Sequence, residues 1–456
     1  MKEAEIAVVG GGASGLMAAL TAAEEFRRRH VPARVLVLEG AQKLGKKLLA
    51  TGNGRCNLTN RKSEPFRFHG DTKAAATVLG NCSSQTVVRR FQSLGLLCRE
   101  EDEGRVYPNS GQAASVLSLL MEQLESLGGE VACDWYTTEI IREKSGFRLR
   151  ARNGEEVLAQ RVILAASGKA APQLGSDGSG YALAQSLGHS CTPCFPALVP
   201  VICKEDKRCK SLKGARCRGT VTLLGDGKML GQETGEIQFT EYGLSGICVF
   251  QLSRLASEWS HFRTVKGKPV SELIFSLDLL PEQSQPELLA MLHRRQRLLP
   301  KSEISDCLAG MLHLAVGRQM VRECLSRNGS LETLSPKEME TLLQTVKEYR
   351  FTVKTVQDWS RAQVTAGGVP LKELSGETLE SLCCPGLYLC GELLNIDGDC
   401  GGYNLQWAWA SGMTAGKAAA GSLLFSEKKP RGPKKTKAPQ SPKRPNRRRS
   451  PHAANR

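Results

Sequence analysis

The chain has 456 residues, 41% of them apolar, and a formal net charge of +16. That length holds two or three domains around a large core, and no apolar run reaches the roughly 18 residues that span a bilayer. Glu3 and Glu5 stand where a basic-then-apolar signal would be, and the 16 cysteines are scattered like reduced thiols, so a cytoplasmic protein is expected.

The charge is uneven. Residues 427–456 hold 12 Lys or Arg and one acid, Glu427, a net +11. Their side chains are too small and polar to bury a core, so disorder is expected there. Such a tail favours phosphate-rich partners through counterion release; a solubilising tail with no fixed target is the plainer alternative. The seven histidines form no H-E-x-x-H pattern, and Cys191-x-x-Cys194 has no companion pair at zinc spacing. No metal site is expected, and the cysteine pair reads as chance spacing in a loop.

In chain order, residues 5–15 read EIAVVGGGASG. Ile6 to Val9 form a short buried strand, and Gly10, Gly12 and Gly15 follow in G-x-G-x-x-G spacing. The helical run LMAALTAAEEF comes next. Strand, glycine turn and helix make a dinucleotide site, with pyrophosphate at the helix N-terminus beside Ala13 and Ser14. A second strand, ARVLVLE, ends in Glu39, placed to accept hydrogen bonds from an adenosine ribose. Lys43, Lys46 and Lys47 add positive charge near the phosphates. The loop TGNGRCN (51–57) brings Asn53, Gly54 and Arg55 close to the ligand, and its Cys56 is a candidate proton donor.

Residues 73–99 and 111–128 carry helical spacing, with the strand-like GRVYP between them. Residues 130–152 and 155–168 alternate as strands, the last running into Gly168, where the backbone can meet the cofactor. GSDGSG (175–180) follows no strand and is not read as a second fingerprint; a nicotinamide donor would visit transiently. Residues 192–355 read as an inserted substrate domain, a β-barrel over 192–280 with helices over 281–355. GDG (225–227) marks a hairpin and Pro336 a helix start. The first domain spans 1–191 and returns over 356–426, where GLYLCGE places Gly391 and Glu392 beyond a buried strand. Gly401 and Gly402 then open a helix at Tyr403.

AVVGGGASGLMAA, KLLATGNGRCNLTN, GRVYP, GEIQFTEYGLSGI and GLYLCGELLNIDGDCGGYNLQWAWASG together resemble the BaiN/RdsA flavoproteins, also called aminoacetone-oxidase-like FAD-binding proteins. The likeness runs from residue 6 to about 421. It implies an α/β fold: a glutathione-reductase-like Rossmann FAD domain with an inserted β-barrel plus helical domain. It implies bound FAD, with Gly10, Gly12, Ser14 and Gly15 at the pyrophosphate and Glu39 at the ribose. Lys47, Asn53, Gly54 and Arg55 would line the cofactor. Gly391 and Glu392 would face the ribityl chain, and Gly402, Tyr403, Asn404 and Leu405 the flavin ring. Glutamate stands at 392 where the FAD-domain pattern has aspartate.

Relatives of this kind form dihydrouridine in large-subunit ribosomal RNA, reduce conjugated double bonds in bile-acid intermediates, or oxidise small amines. The first two share hydride delivery to an electron-poor C=C plus a proton to its neighbour. A ribosomal RNA substrate, with NAD(P)H as donor and Cys56 or Tyr403 as acid, is the expectation. A small-molecule enone reductase of the bile-acid kind, or a small-amine oxidase, is the alternative. No membrane partner is expected.

Overall fold

The structure, a computed structural model, describes residues 2–265 and 272–426. The basic tail lies outside them.

Strand Lys2–Val9 sits near the middle of a seven-stranded sheet. Ile6 to Val9 are buried, because helices cover a parallel sheet on both faces. Val9 pairs in parallel with Leu38 on one side and Leu164 on the other. Glu130–Ala132 lies beyond Val35–Leu38. Thr137–Glu143, Gly146–Ala151 and Glu156–Leu164 form an antiparallel meander. The C-terminal half of the last of these also pairs in parallel with Leu387–Leu389. Five parallel strands therefore end at one edge, and Gly10, Glu39, Cys133, Ala165 and Cys390 follow their ends. Ligands of open α/β sheets bind at that edge. Helices Ala13–Arg28 and Tyr403–Ser426 pack against each other beside it.

Helical spacing at 73–99 resolves into two helices, Thr72–Asn81 and Ser84–Ser93, then a strand, Cys98–Glu100. The break falls at Ser83, whose hydroxyl caps the second helix at the Thr86 N–H. GRVYP is the strand Arg105–Pro108.

The chain leaves the first unit after Phe195–Ala197 and returns at Val364–Ala366, and these two segments pair with each other. Between them six antiparallel strands close a barrel: Val201–Cys203, Gly243–Ser245, Lys228–Phe239, Arg216–Gly225, Leu273–Asp278 and Tyr349–Val356. Val221, Leu223, Phe275, Leu277 and Phe351 fill it, while Thr220 and Thr222 face outward with the period of a strand. The GDG hairpin holds Asp226 and Gly227 at φ of 50° and 74°, which matches the twist of the flanking strands. Helices Gln285–Leu298, Leu314–Leu325 and Pro336–Lys347 share this core. Ser335 and Glu338 form a capping box around Pro336.

Two helices interrupt the expected run of short strands, Asp206–Leu212 and a longer one. Ile247–Val265 is a helix of 19 residues. Its opening Ile247, Val249 and Phe250 suggest a strand, but Cys248, Leu252 and Ala256 are buried at four-residue spacing, the period of one helix face.

Candidate active site

A cavity of about 880 Å³ opens at the strand-end edge and extends to the inserted domain. At one end lie Gly10, Gly12, Ala13 and Ser14. Helix Ala13–Arg28 starts here with Gly12 extended and no side chain over its N-terminus, so its first N–H groups suit an anion. A Cβ added at Gly12 meets nothing within 4 Å, whereas one at Gly15 would lie 1.9 Å from the Gly10 carbonyl oxygen. Gly12 leaves room for a ligand; Gly15 lets helix and strand touch. Glu39 accepts the Gly11 and Ala41 N–H groups, each at 2.8 Å, one on each carboxylate oxygen. Each oxygen keeps a further lone pair for a hydroxyl.

In the middle, Lys46 and Lys47 come from the short helix Lys46–Ala50. Lys47 Nζ meets Glu392 Oε2 at 2.5 Å. The other Glu392 oxygen accepts the Thr365 N–H at 2.7 Å. Glu392 thus joins the lysine to the returning strand. Asn53 and Arg55 are on the wall, and the Arg55 guanidinium stacks 4.2 Å above the Tyr107 ring and pairs with Glu101. Loop residues Gly175, Ser176 and Asp177 close this stretch, Asp177 held by the Tyr136 hydroxyl at 2.7 Å.

At the far end, Gly401 and Gly402 turn into helix Tyr403–Ser426. Gly402, Asn404 and Leu405 line the cavity. The Asn404 side chain clamps the turn through the Gly398 N–H and carbonyl, both at 2.8 Å. Leu198, Ile247 and Phe250 of the inserted unit line the same cavity, and Phe250 packs with Cys400 on the cluster that holds Leu198. Asp399 and Cys400 complete the wall. Asp399 accepts from Arg67 at 3.1 Å and is bonded to His69 at 2.9 Å. Two ties bind the inserted unit to this end. Arg254 grips Asp397 at 2.7 and 3.3 Å, and Gln251 accepts the Cys400 N–H at 3.0 Å.

Several residues expected at the site stand behind its wall. Gly15, Gly54, Gly168 and Gly391 shape the backbone without lining the cavity. A Cβ at Gly168 would strike the Thr365 hydroxyl at 2.3 Å, and one at Gly391 the Ser14 hydroxyl at 2.3 Å. Cys56 is fully buried and off the wall. Burial pushes its thiol up to about 12, against the opposing effect of the Thr51 side chain. Tyr403 is also off the wall; its ring packs edge-on against Phe68, and burial raises its hydroxyl. Neither candidate acid is among the residues that line the cavity. Arg105, Tyr107, Leu198, Phe250, Asp399 and Cys400 were not singled out from sequence. Cys400 directly precedes the glycine pair, and that neighbourhood was its signal.

The residues fit a dinucleotide. Space stands open over Gly12, and Asn57 Oδ1, in a residue only 8% exposed, is buried on the wall with no hydrogen-bond partner among the described residues. A bound ligand that donates a hydrogen bond would satisfy it.

Residues 4–418 match the family described as HI0933-like protein Rossmann domain. The chain belongs to this family. It is 40% identical over 417 residues to the 3-dehydro-bile acid delta(4,6)-reductase of Clostridium scindens, covering 91% of this chain and 98% of that one. It is 26% identical over 414 residues to the ribosomal RNA dihydrouridine synthase of Escherichia coli, covering 90% and 96%. The synthase of the same name from Haemophilus influenzae is 26% identical over 410 residues, covering 89% and 95%. This HI0933-like protein is an FAD-dependent oxidoreductase. Among its described residues no helix is long and apolar enough to cross a membrane.

Two clusters of this HI0933-like chain lie away from the cavity. His189, Glu373 and Cys383 approach one another within 4.8 Å. Ser381 Oγ already accepts the Cys383 and Cys384 N–H groups, so its hydroxyl proton goes to His189 Nε2 at 2.8 Å. Nδ1 then carries the ring proton and donates to Glu373 at 3.0 Å. No imidazole lone pair is left for a metal. Cys191 and Cys194 bring their sulfurs to 3.9 Å, off the wall. Either sulfur can be the donor in that contact, which lowers the Cys194 thiol and raises that of Cys191.

Proposed function

We propose that the protein reduces a C=C bond conjugated to a carbonyl in a substrate with an apolar body, using NAD(P)H as a transient donor. Bound FAD supplies the hydride chemistry. Gly10, Gly12, Ala13 and Ser14 hold its pyrophosphate and Glu39 its ribose. Lys46, Lys47, Asn53, Arg55 and Glu392 line its middle, and Gly402, Asn404 and Leu405 its ring. Leu198, Ile247 and Phe250 exclude water and receive the substrate body. That apolar wall, packed beside Cys400 where the glycine turn begins, carries the reading. The 40% identity to a bile-acid reductase supports it.

Reduction of a uridine in large-subunit ribosomal RNA, expected from sequence, is the second reading. Its C5=C6 bond is likewise conjugated to a carbonyl. The two synthases at 26% identity and the +11 tail favour it. One experiment separates the readings. Enzyme reduced anaerobically with NAD(P)H is mixed with a conjugated steroid ketone or with unmodified ribosomal RNA, and flavin reoxidation is followed. Reoxidation by the ketone alone supports the first reading. Reoxidation by RNA alone, with new dihydrouridine on mass-spectrometric mapping, replaces it with the second.

A further inference from the structure

We propose that Cys400 is the proton donor of the reduction, placed where the inserted unit meets the glycine turn. This rests on the enone-reductase reading.

Three observations converge on Cys400. It lines the cavity, unlike Cys56 and Tyr403. It packs with Phe250 on the apolar cluster of Phe195, Leu198 and Val364, so its thiol belongs to the surface that would hold the substrate body. Its backbone N–H is fixed by Gln251 of the inserted unit at 3.0 Å, which sets its position against that wall. The same stretch of cavity holds the unpartnered Asn57 Oδ1, 2.9 Å from where a Gly402 Cβ would stand. That buried acceptor marks the stretch as one a ligand completes. Arg105 also lines it.

The step balances as follows. Hydride, carrying two electrons from NAD(P)H by way of the cofactor, adds to the β carbon of the enone. The C=C electron pair moves toward the α carbon and the carbonyl. The Cys400 S–H bond breaks as the α C–H bond forms, and its electron pair stays on sulfur. Water then returns a proton to the thiolate. Burial raises the Cys400 thiol, and Asp399 and Glu103 add to that, while the Arg105 charge opposes it. The group is thus a neutral thiol at neutral pH, with a proton to give. An enolate carbon is far more basic than a thiolate, so the transfer runs downhill.

The test separates hydride from proton. Reduced enzyme is mixed with a cyclic enone and, separately, with a nitroalkene on the same ring. A nitroalkene that has taken hydride is a nitronate, stable without the proton and visible by its ultraviolet absorbance. Wild type should be reoxidised by both and release protonated products. In Cys400→Ala, reoxidation by the enone should fall about 10²–10⁴-fold, the usual worth of a general acid. The nitroalkene should still reoxidise the cofactor and leave as free nitronate. Cys400→Ser, close in volume, guards against a packing defect and should show the same split at full FAD content. Enone reduction at the wild-type rate in both variants overturns the proposal, as does release of fully protonated nitroalkane from Cys400→Ala. Wild-type enzyme that NAD(P)H reduces but neither acceptor reoxidises sinks the enone reading itself, and the proposal with it.

Discussion

The two ends of the cavity are built by different means. The pyrophosphate end comes from one βαβ stretch. The side-chain tie that shapes its turn, from the Gly11 N–H to Glu39, spans only 28 residues. The redox end is assembled across the chain. Asn60 bonds Gly401 over 341 residues, Gln251 holds Cys400 over 149, and Arg254 grips Asp397 over 143. The first end is backbone and glycine, and would grip any dinucleotide. The second is side chains from two folded units, and would choose the substrate. Cofactor binding and substrate choice should therefore fail separately.

The largest expected effect lies at the first end. Gly12 has φ of −84° and open space over its Cβ position, so Gly12→Val should fold and melt like apoprotein. The valine occupies the room left for the pyrophosphate. Losing two charge-assisted contacts at about 1.5–3 kcal/mol each lowers affinity at least about 10²-fold. FAD released on denaturation measures it, and stoichiometric FAD in Gly12→Val would refute the cradle. Gly15→Ala should instead lose the fold, since its Cβ would sit 1.9 Å from the Gly10 carbonyl oxygen.

Next comes the tie at the second end. Asp397 is 1% exposed, and Arg254 is its ionic partner. Arg254→Met leaves a buried carboxylate unpaired, at a cost of about 3–5 kcal/mol. Adding Asp397→Asn should recover much of the melting temperature. A double variant no more stable than Arg254→Met would show that the pair is not what joins the units.

Phe250→Ala should act more mildly, and on substrate alone. Removing a half-buried phenyl from the wall forfeits roughly 1–2 kcal/mol of apolar contact. KM for an apolar enone should rise about tenfold, with FAD content unchanged. Loss of FAD in this variant would erase the distinction between the ends.

The same distinction explains what was legible in the sequence. Strand, glycine spacing and Glu39 are local, and the Rossmann unit with its cofactor could be read from them. Barrel strands were legible because Val221, Leu223, Phe275 and Leu277 alternate. Helix Ile247–Val265 was not, because its β-branched opening masks a helical period that starts at Cys248. Phe250, Gln251 and Arg254 were lost with it. Cys56 looked right because it neighbours the cofactor loop, and proximity in sequence does not fix which way a side chain turns. Its φ of 58° carries the chain through a left-handed turn, and the thiol ends in the core. Cys400 faces the cavity only because two distant units meet there.

The smallest expected effect is a control at neither end. Arg327 pairs with Glu338 at 2.8 Å in the helical part of the inserted unit. That guanidinium, with the Ser335 N–H and hydroxyl, holds the Glu338 carboxyl down at about 2, against 4.5 for the free group. A carboxylate whose folded pKa is depressed adds stability above its unfolded pKa. It loses that stability as pH falls from about 4.5 toward 2. Both side chains are partly exposed, so the pair is worth at most about 1 kcal/mol. Arg327→Ala should lower the melting temperature slightly at neutral pH, and the gap from wild type should narrow as pH drops below 4.5. Differential scanning calorimetry at several pH values checks the sign. A gap that widens in acid would mean the carboxyl is not held down by this arginine. FAD content and enone reduction at neutral pH should not move. If either does, the helical part is coupled to the cavity, and the inserted unit contributes more than the wall of Leu198, Ile247 and Phe250.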